Sequence, residues 1–455
     1  MSSSSMTATE RRAALSLASI FGVRMVGLFM LLPVIALYAE LLEAYTPFLA
    51  GLAAGIHGLS QGLMQIPMGA LSDRIGRKPV IIGGLLVFAL GSLIAALADN
   101  LWWVILGRFI QGAGAVASAM MALAADLTRE EHRMKVMAII GMSIGMAVSL
   151  GLVLGPIVYS AWGGPWIFGI TVVLALLGIL IAWLWVPEPV SQRFHRDAEV
   201  ELGWLRSALM DSQLLRLDAG ILILHTIFTA SFLMLPYILR DALGVGEARH
   251  WLVYLPVLLV SMAAIVPLLV MAERRRRLKQ SLVGAVLALA VASLGLALWH
   301  VSLTGVVVLL LVFFAAFNLL EASLPSLVAK FAPVAHKGTA MGAFSSSQFI
   351  GIFLGGLMAG ALHGHWGLEA VFYVNALLAG IWLLLAATMR QPAYLSSRLL
   401  RVAVSDRQAA EALARRLGAV PGVAEAVVIA EDGVAYLKVD NALLDEAALA
   451  DLAPA

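Results

Sequence analysis

The sequence predicts an all-α polytopic membrane protein of twelve transmembrane helices in two six-helix halves, followed by a small α+β domain. Three observations support this. The 455 residues are 61% hydrophobic and 13% charged, roughly half the charged share of a soluble domain, so polar surface is too scarce to cover a water-exposed body of this size. Apolar runs long enough to cross a bilayer recur to residue 389 and then stop. Basic residues collect in alternate loops.

The first apolar run, 15–38, follows the polar stretch Met1–Arg12. It is longer than the apolar core of a signal peptide and has no small-residue cleavage site behind it, so it is expected to stay as the first span. Further runs at 48–70, 79–98, 101–125, 136–161 and 166–186 complete one set of six. A second set lies at 219–239, 251–272, 282–299, 306–329, 339–362 and 370–389. The expected units are an amino-terminal half 1–187, a polar linker 188–213 with Arg193, His195, Arg196, Asp197 and Glu199, a carboxy-terminal half 214–390, and a tail domain 396–455.

The amino terminus and every second loop hold the cations, including Arg11, Arg12, Arg74, Arg77, Lys78, Arg129, Arg133, Lys135 and Arg274 to Arg277. Arg240 and Arg249 are exceptions in the other loops. The positive-inside rule then places both termini in the cytoplasm of a bacterial inner membrane. A net charge of +2 argues against a nucleic-acid partner, and the absence of cysteine excludes disulfides, thiolate metal sites and thiol catalysis. No metal or cofactor is expected.

Weak internal symmetry joins the halves. Gly151-x-x-x-Gly155-Pro156 in the fifth span is matched, 200 residues on, by Gly351-x-x-x-Gly355-Gly356 in the eleventh. Small residues four apart let helices approach closely, and their recurrence fits a duplicated transporter. After Met389 the pattern changes: an alternating strand Leu399–Val404, a helix Asp406–Leu417 capped by Ser405, a strand Ala426–Ala430, a turn at Glu431-Asp432-Gly433, a return strand Val434–Val439 and a helix Asn441–Leu452. This β-α-β-β-α order resembles the ferredoxin-like fold of metal-handling modules without their Cys-x-x-Cys or last strand. It is expected to fold as a soluble unit, to bind no metal tightly, and to dock on the core in a regulatory role.

The loop after the second span reads Gly69-Ala-Leu-Ser-Asp73-Arg74-Ile-Gly76-Arg77-Lys78. A solvated basic loop would explain its cations, but not the two glycines and the aspartate at these spacings. The loop resembles the signature of the major facilitator superfamily, and Gly107-Arg108-Phe109-Ile110-Gln111-Gly112 resembles that family's fourth-span motif, with Asp126 and Arg133 following. Gly151, Gly155 and Pro156 resemble its fifth-span antiporter motif, although Tyr159-Ser160 replace the trailing glycine pair. The resemblance covers residues 12–390 and implies two halves rocking about a central cavity lined by spans one, four, seven and ten. It also implies a clamp in which Arg77 pairs with Asp126 while Asp73 meets the amino terminus of span eleven, whose exposed N–H groups favour a carboxylate.

A charge at bilayer depth costs about 2.5–3.5 kcal/mol on insertion scales, so each one is a candidate for function. Arg24, Arg108 and Glu321 fall well inside spans, with His57 and His225. Arg24, Arg108, Gln111 and Asn318 are the expected cavity polar groups, and Glu321, with His225 next, the expected proton-coupling group, ionised beside Arg24 or Arg108 in one state. The alternatives are packing through backbone carbonyls for Arg108, snorkelling for Arg24 and a permanent ion pair for Glu321. Asn318, Ser323 and Pro325 around Glu321 suggest a locally irregular helix with free carbonyls. No nucleophile–base or metal constellation of an enzyme appears. The expected function is proton-coupled secondary transport of a small molecule by a monomer in the lipid bilayer, in the export direction. The alternative is a membrane sensor that signals through the tail.

Overall fold

A computed structural model describes residues 5–188, 210–333, 337–391, 396–402, 404, 406–430, 433–440 and 443–452. Most of the linker expected at 188–213 lies outside these residues, as do Ser405, Glu431 and Asp432.

Among the described residues twelve helical segments are long enough to cross a bilayer, and eleven of them are also apolar enough by composition. The first, Ala8–Leu31, begins earlier than the apolar pattern suggests, because Thr7 and Glu10 form a reciprocal capping box that starts the helix inside the polar stretch. A short helix Ile35–Glu40 continues it after a break at Pro33. Spans two, three, five and six are Pro47–Ile75, Arg77–Ala96, Glu130–Trp162 and Gly164–Leu184. Span four is two pieces, Leu101–Ala113 and Ala117–Asp126, separated where Gly114 packs against the backbone of span three at Gly84 and Phe88. Spans seven to twelve are Ser212–Tyr237, His250–Arg274, Leu278–Trp299, Leu303–Phe331, Lys337–Trp366 and Leu368–Ala387. A π-helical turn, Ile238–Ala242, ends span seven. Span two is less apolar than the other eleven because His57, Ser60, Gln61 and Gln65 sit on it, and all four are buried inside the protein.

The duplicated glycine motifs do equivalent work. Gly151 and Gly155 lie against span one at Phe29 and Met30, and Gly351 and Gly355 lie against span seven at Leu222 and Thr226. Spans one and seven lead their halves, so each motif packs its helix on the corresponding partner. A different glycine row joins the halves. Gly51, Gly55 and Gly58 of span two face Gly356, Phe353 and Phe349 of span eleven, and Gly360 faces Pro47. A Cβ at Gly356 would collide with backbone of Gly51 and Gly55. Gly356→Val should therefore oppose this contact by about 1–3 kcal/mol. Because the chain has no cysteine of its own, a cysteine placed beside Gly51 can report the result. Its thiol labelling should rise in the variant.

The tail follows the expected order with shifted boundaries. Strands β1 (Ser396–Arg401), β2 (Val423–Ile429) and β3 (Val434–Val439) form an antiparallel sheet in the order β1-β3-β2. Its helices are Arg407–Gly418, capped by Asp406, and Glu446–Leu452. The second helix starts later than expected because Asp445 caps it, accepting from the N–H groups of Ala447 and Ala448 at 3.1 and 3.0 Å. Leu417, Ala435, Leu437, Val439 and Leu449 form the tail's core.

Candidate functional site

Three spans of the carboxy-terminal half converge on Glu321. Gln348 of span eleven donates one amide N–H to Glu321 Oε1 at 3.1 Å, and its Nε2 lies 2.9 Å from His225 Nε2 on span seven. His225 Nδ1 is 3.3 Å from the Ile221 carbonyl, which favours the Nδ1–H tautomer and leaves Nε2 to accept from Gln348. The second Glu321 oxygen, Oε2, lies 3.8 Å from His225 Nε2 and has no hydrogen-bond partner among the described residues. The two ionisable groups singled out from separate spans thus meet. Gln348 was not singled out. Its signal in the sequence is the polar run Ser345-Ser346-Ser347-Gln348 inside an apolar span.

Aromatic rings wall the cluster. Phe317 stacks on Phe228 at 4.4 Å between centroids, and the His225 ring lies 5.9 and 6.2 Å from them. Phe29, from the other half, is 6.5 Å from Phe228. Span ten is a continuous helix here rather than the irregular one expected, with the Ser323 hydroxyl donating to the Leu319 carbonyl. Pro325 still has no N–H, so the carbonyl of Glu321 lacks its helical donor. Asn318 does not bond to Glu321 among the described residues; it donates to Ser261 Oγ of span eight at 3.4 Å. Asp218, which the sequence places at a span boundary, is buried in the second turn of span seven.

The arginines do not join this cluster. Arg108 donates to the carbonyls of Ala53 and Ala54 at 3.2 Å each, to His57 Nδ1 at 2.6 Å and to Gln111 Oε1 at 2.5 Å. Gln111 in turn donates to Ser92 at 2.8 Å. Arg24 donates to Gln61 at 3.1 Å and lies 5.2 Å from the centre of the Phe88 ring. These bonds brace spans one to four. Arg24 is 0% exposed and Arg108 and Gln111 are 3% and 2% exposed, so none of them opens to a cavity in this conformation. Neither arginine has an ion pair among the described residues, and the expected pairing with Glu321 is replaced by His225 and Gln348.

On the face opposite the chain termini the halves are sealed. Glu40, at the end of the first span's short helix, pairs with Arg240 at 2.6 Å, and Arg240 also binds Asp241 at 2.6 Å. Tyr237 donates to the Ala36 carbonyl at 3.3 Å, and its hydroxyl lies 3.3 Å from that of Tyr45. The π-helical turn aims Arg240 across the interface; such turns recur at functional positions. This explains one of the two cations that break the loop-charge pattern.

On the terminal face the signature loop takes its expected shape within the amino-terminal half. Gly76, at φ 101°, ends span two and begins span three in a backbone conformation that favours glycine. Gly69 packs closely on Ser118 of span four. Arg77 binds Asp73, donates to Ser72 at 2.7 Å and reaches Asp126 at 3.3 Å. Lys78 donates to the Val186 carbonyl and to Glu188, and Arg74 is exposed. Arg133 lies half-buried near the start of span five. Among the described residues Asp73 binds only Arg77, so its expected contact with span eleven is not made in this conformation. Arg77→Ala removes the group that joins spans two, three and four. It should lower transport several-fold with membrane insertion intact, measured as flux per inserted protein, since buried charge-assisted bonds contribute about 1.5–3 kcal/mol.

Two six-helix bundles with matched glycine motifs, sealed at one face beside a partly buried ionisable cluster in the interior, define a membrane transporter of duplicated design. The chain belongs to the major facilitator superfamily, whose model matches residues 17–355 and 308–414. A model of the YajR YAM domain matches residues 400–450. The chain is 43% identical to the inner membrane transport protein YajR of Escherichia coli (strain K12) over 437 residues, 96% of each chain. The multidrug resistance protein MdtH of Aeromonas salmonicida is 27% identical over 357 residues, covering 74% of this chain and 84% of its own. Among solved structures, a bacterial homologue of the human lysosomal transporter Spinster superposes with a TM-score of 0.67 at 15% identity, covering 84% of this chain and 97% of that one. The chain is thus an inner-membrane transporter of this superfamily with a YAM-type tail.

Proposed function

We propose that this transporter is proton-coupled and exports an apolar or amphipathic solute by alternating access. The observation that carries the reading is the Glu321–His225–Gln348 cluster. It is a carboxylate and an imidazole held at bilayer depth against aromatic walls, able to take up and release a proton as the environment alternates between membrane faces. The stacked Phe228 and Phe317 pack beside the titrating groups; they are buried here and would meet an apolar solute only in a state of the cycle that exposes them. Likeness to a multidrug resistance protein supports the export direction.

With both termini cytoplasmic, as the positive-inside rule argues, the sealed face is periplasmic and the structure is an inward-facing state. The contact of Asp73 with span eleven then belongs to the outward-facing state. In this reading the protein works as a monomer and is not an enzyme. The test is proteoliposome flux under an imposed pH gradient, screened over apolar and amphipathic cations, anions and neutral solutes. Gradient-dependent accumulation of one class is the expected result. Transport that never exceeds equilibrium for any class would refute proton coupling.

A further inference from the structure

The tail's sheet has one face covered by its two helices and one face turned to the core. Ala435, Leu437 and Val439 of β3 are buried with those helices, and the alternating residues Val434, Tyr436 and Lys438 lie on the opposite face. Lys438 is 7% exposed although it belongs to a small domain outside the membrane. Its ammonium donates to the Ala332 carbonyl at 2.6 Å and the Lys330 carbonyl at 3.4 Å, and pairs with Glu425 Oε2 of the neighbouring strand at 3.3 Å. Ala332 is the residue that ends span ten. A lysine there satisfies carbonyls that the helix leaves without donors and interacts favourably with the negative end of its dipole.

The same device recurs on this face. Arg12 donates to the carbonyls of Leu184 and Trp185 at the end of span six, at 2.9 and 2.8 Å, and Lys78 donates to Val186 at 3.2 Å. Those cations belong to the half they fasten. Lys438 differs because it reaches from a separate domain to the helix that carries Glu321. A grip on that end of span ten resists any displacement of the helix.

We propose that the tail is a conformation-selective brake, in which the open sheet face, through Lys438, holds span ten in the state with the opposite face sealed. This rests on the alternating-access reading above. Occupancy of the sheet face by another partner would release the helix and favour the other state.

The test uses the full chain with nitroxide labels on cysteines at Leu97 and Val301, both highly exposed in loops of the sealed face, one in each half. Lys438→Met should increase the population with long label distances by about threefold to tenfold, the size expected for losing a cation at a helix carboxy terminus. Truncation after residue 395 should do the same, and Lys438→Arg should stay near wild type. Limited proteolysis of the Lys438→Met protein shows whether its tail is still folded. Glu40→Ala is the control for the underlying reading, because it cuts the seal directly. If Glu40→Ala and the tail variants all leave the distances unchanged, alternating access at this face fails. If Glu40→Ala shifts them and neither Lys438→Met nor truncation does, the brake alone is wrong. If truncation shifts them and Lys438→Met does not, the grip through Lys438 is wrong.

Discussion

Glu321→Gln is expected to abolish proton-driven accumulation while keeping at least part of solute exchange. Glutamine preserves the size of the side chain and can still meet Gln348 and His225, so the packing of spans seven, ten and eleven should survive. It cannot bind and release a proton, so a pH gradient has nothing to act on at this position. Uphill flux in proteoliposomes should fall to passive equilibration, whereas counterflow of labelled against unlabelled solute continues. A permanent structural ion pair would give the opposite pattern, with poor yield and loss of both activities. The geometry argues against such a pair. The closest approach to His225 is 3.8 Å, longer than a hydrogen bond, and Gln348 bonds to Glu321 Oε1 and His225 Nε2 between them. Should Glu321→Gln accumulate solute like the wild type, the proton site lies elsewhere, with His225 the next position to test.

The second large effect is expected at the seal. Arg240→Glu would place a carboxylate among Glu40 and Asp241, turning two attractions into repulsions. Arg240 and Glu40 are about one-third exposed and Asp241 more than half, so solvent screens much of the Coulomb energy. What remains is on the order of 1–2 kcal/mol, roughly a fivefold to thirtyfold shift toward the state with this face open. Pulsed dipolar distances across the face should lengthen, and transport should fall because the cycle stalls in one state. The exchanged pair Glu40→Arg with Arg240→Glu should restore short distances and part of the flux. A charge-reversed protein with wild-type distances would show that the glycine row of spans two and eleven closes this face unaided.

Much of this architecture was legible in the sequence, because bilayer thickness imposes a length on each span and loop charges alternate. What was missed has physical causes. Span one starts early because a capping box, rather than apolar residues, initiates it. The tail's caps fell on Asp406 and Asp445, whose short acceptor side chains outcompete the expected boundaries. Glu321 and His225 stood out because ionisable groups are costly at depth, yet spacing along a chain could not bring spans seven and ten together. The same blindness suggested Arg24 and Arg108 as partners for Glu321. Those arginines instead brace their own half, bonding to side chains and backbone carbonyls of span two. Gln348 escaped because an amide in a span reads as packing, and Glu40 because a carboxylate at a span end costs little. Lys438 was hidden in the alternation of an ordinary strand. Arg240, by contrast, was visible as an exception to the charge pattern, and its exception has a reason in the seal.

The most direct test of proton coupling imposes no pH gradient at all. Purified protein in liposomes containing a pH-sensitive dye is given a steep gradient of a solute found by the flux screen, with the membrane potential clamped. An exchanger of solute for protons should shift the lumenal pH as the solute runs down its gradient, and Glu321→Gln should move the solute without that shift. Wild-type protein that carries the solute with no change in lumenal pH would contradict the account.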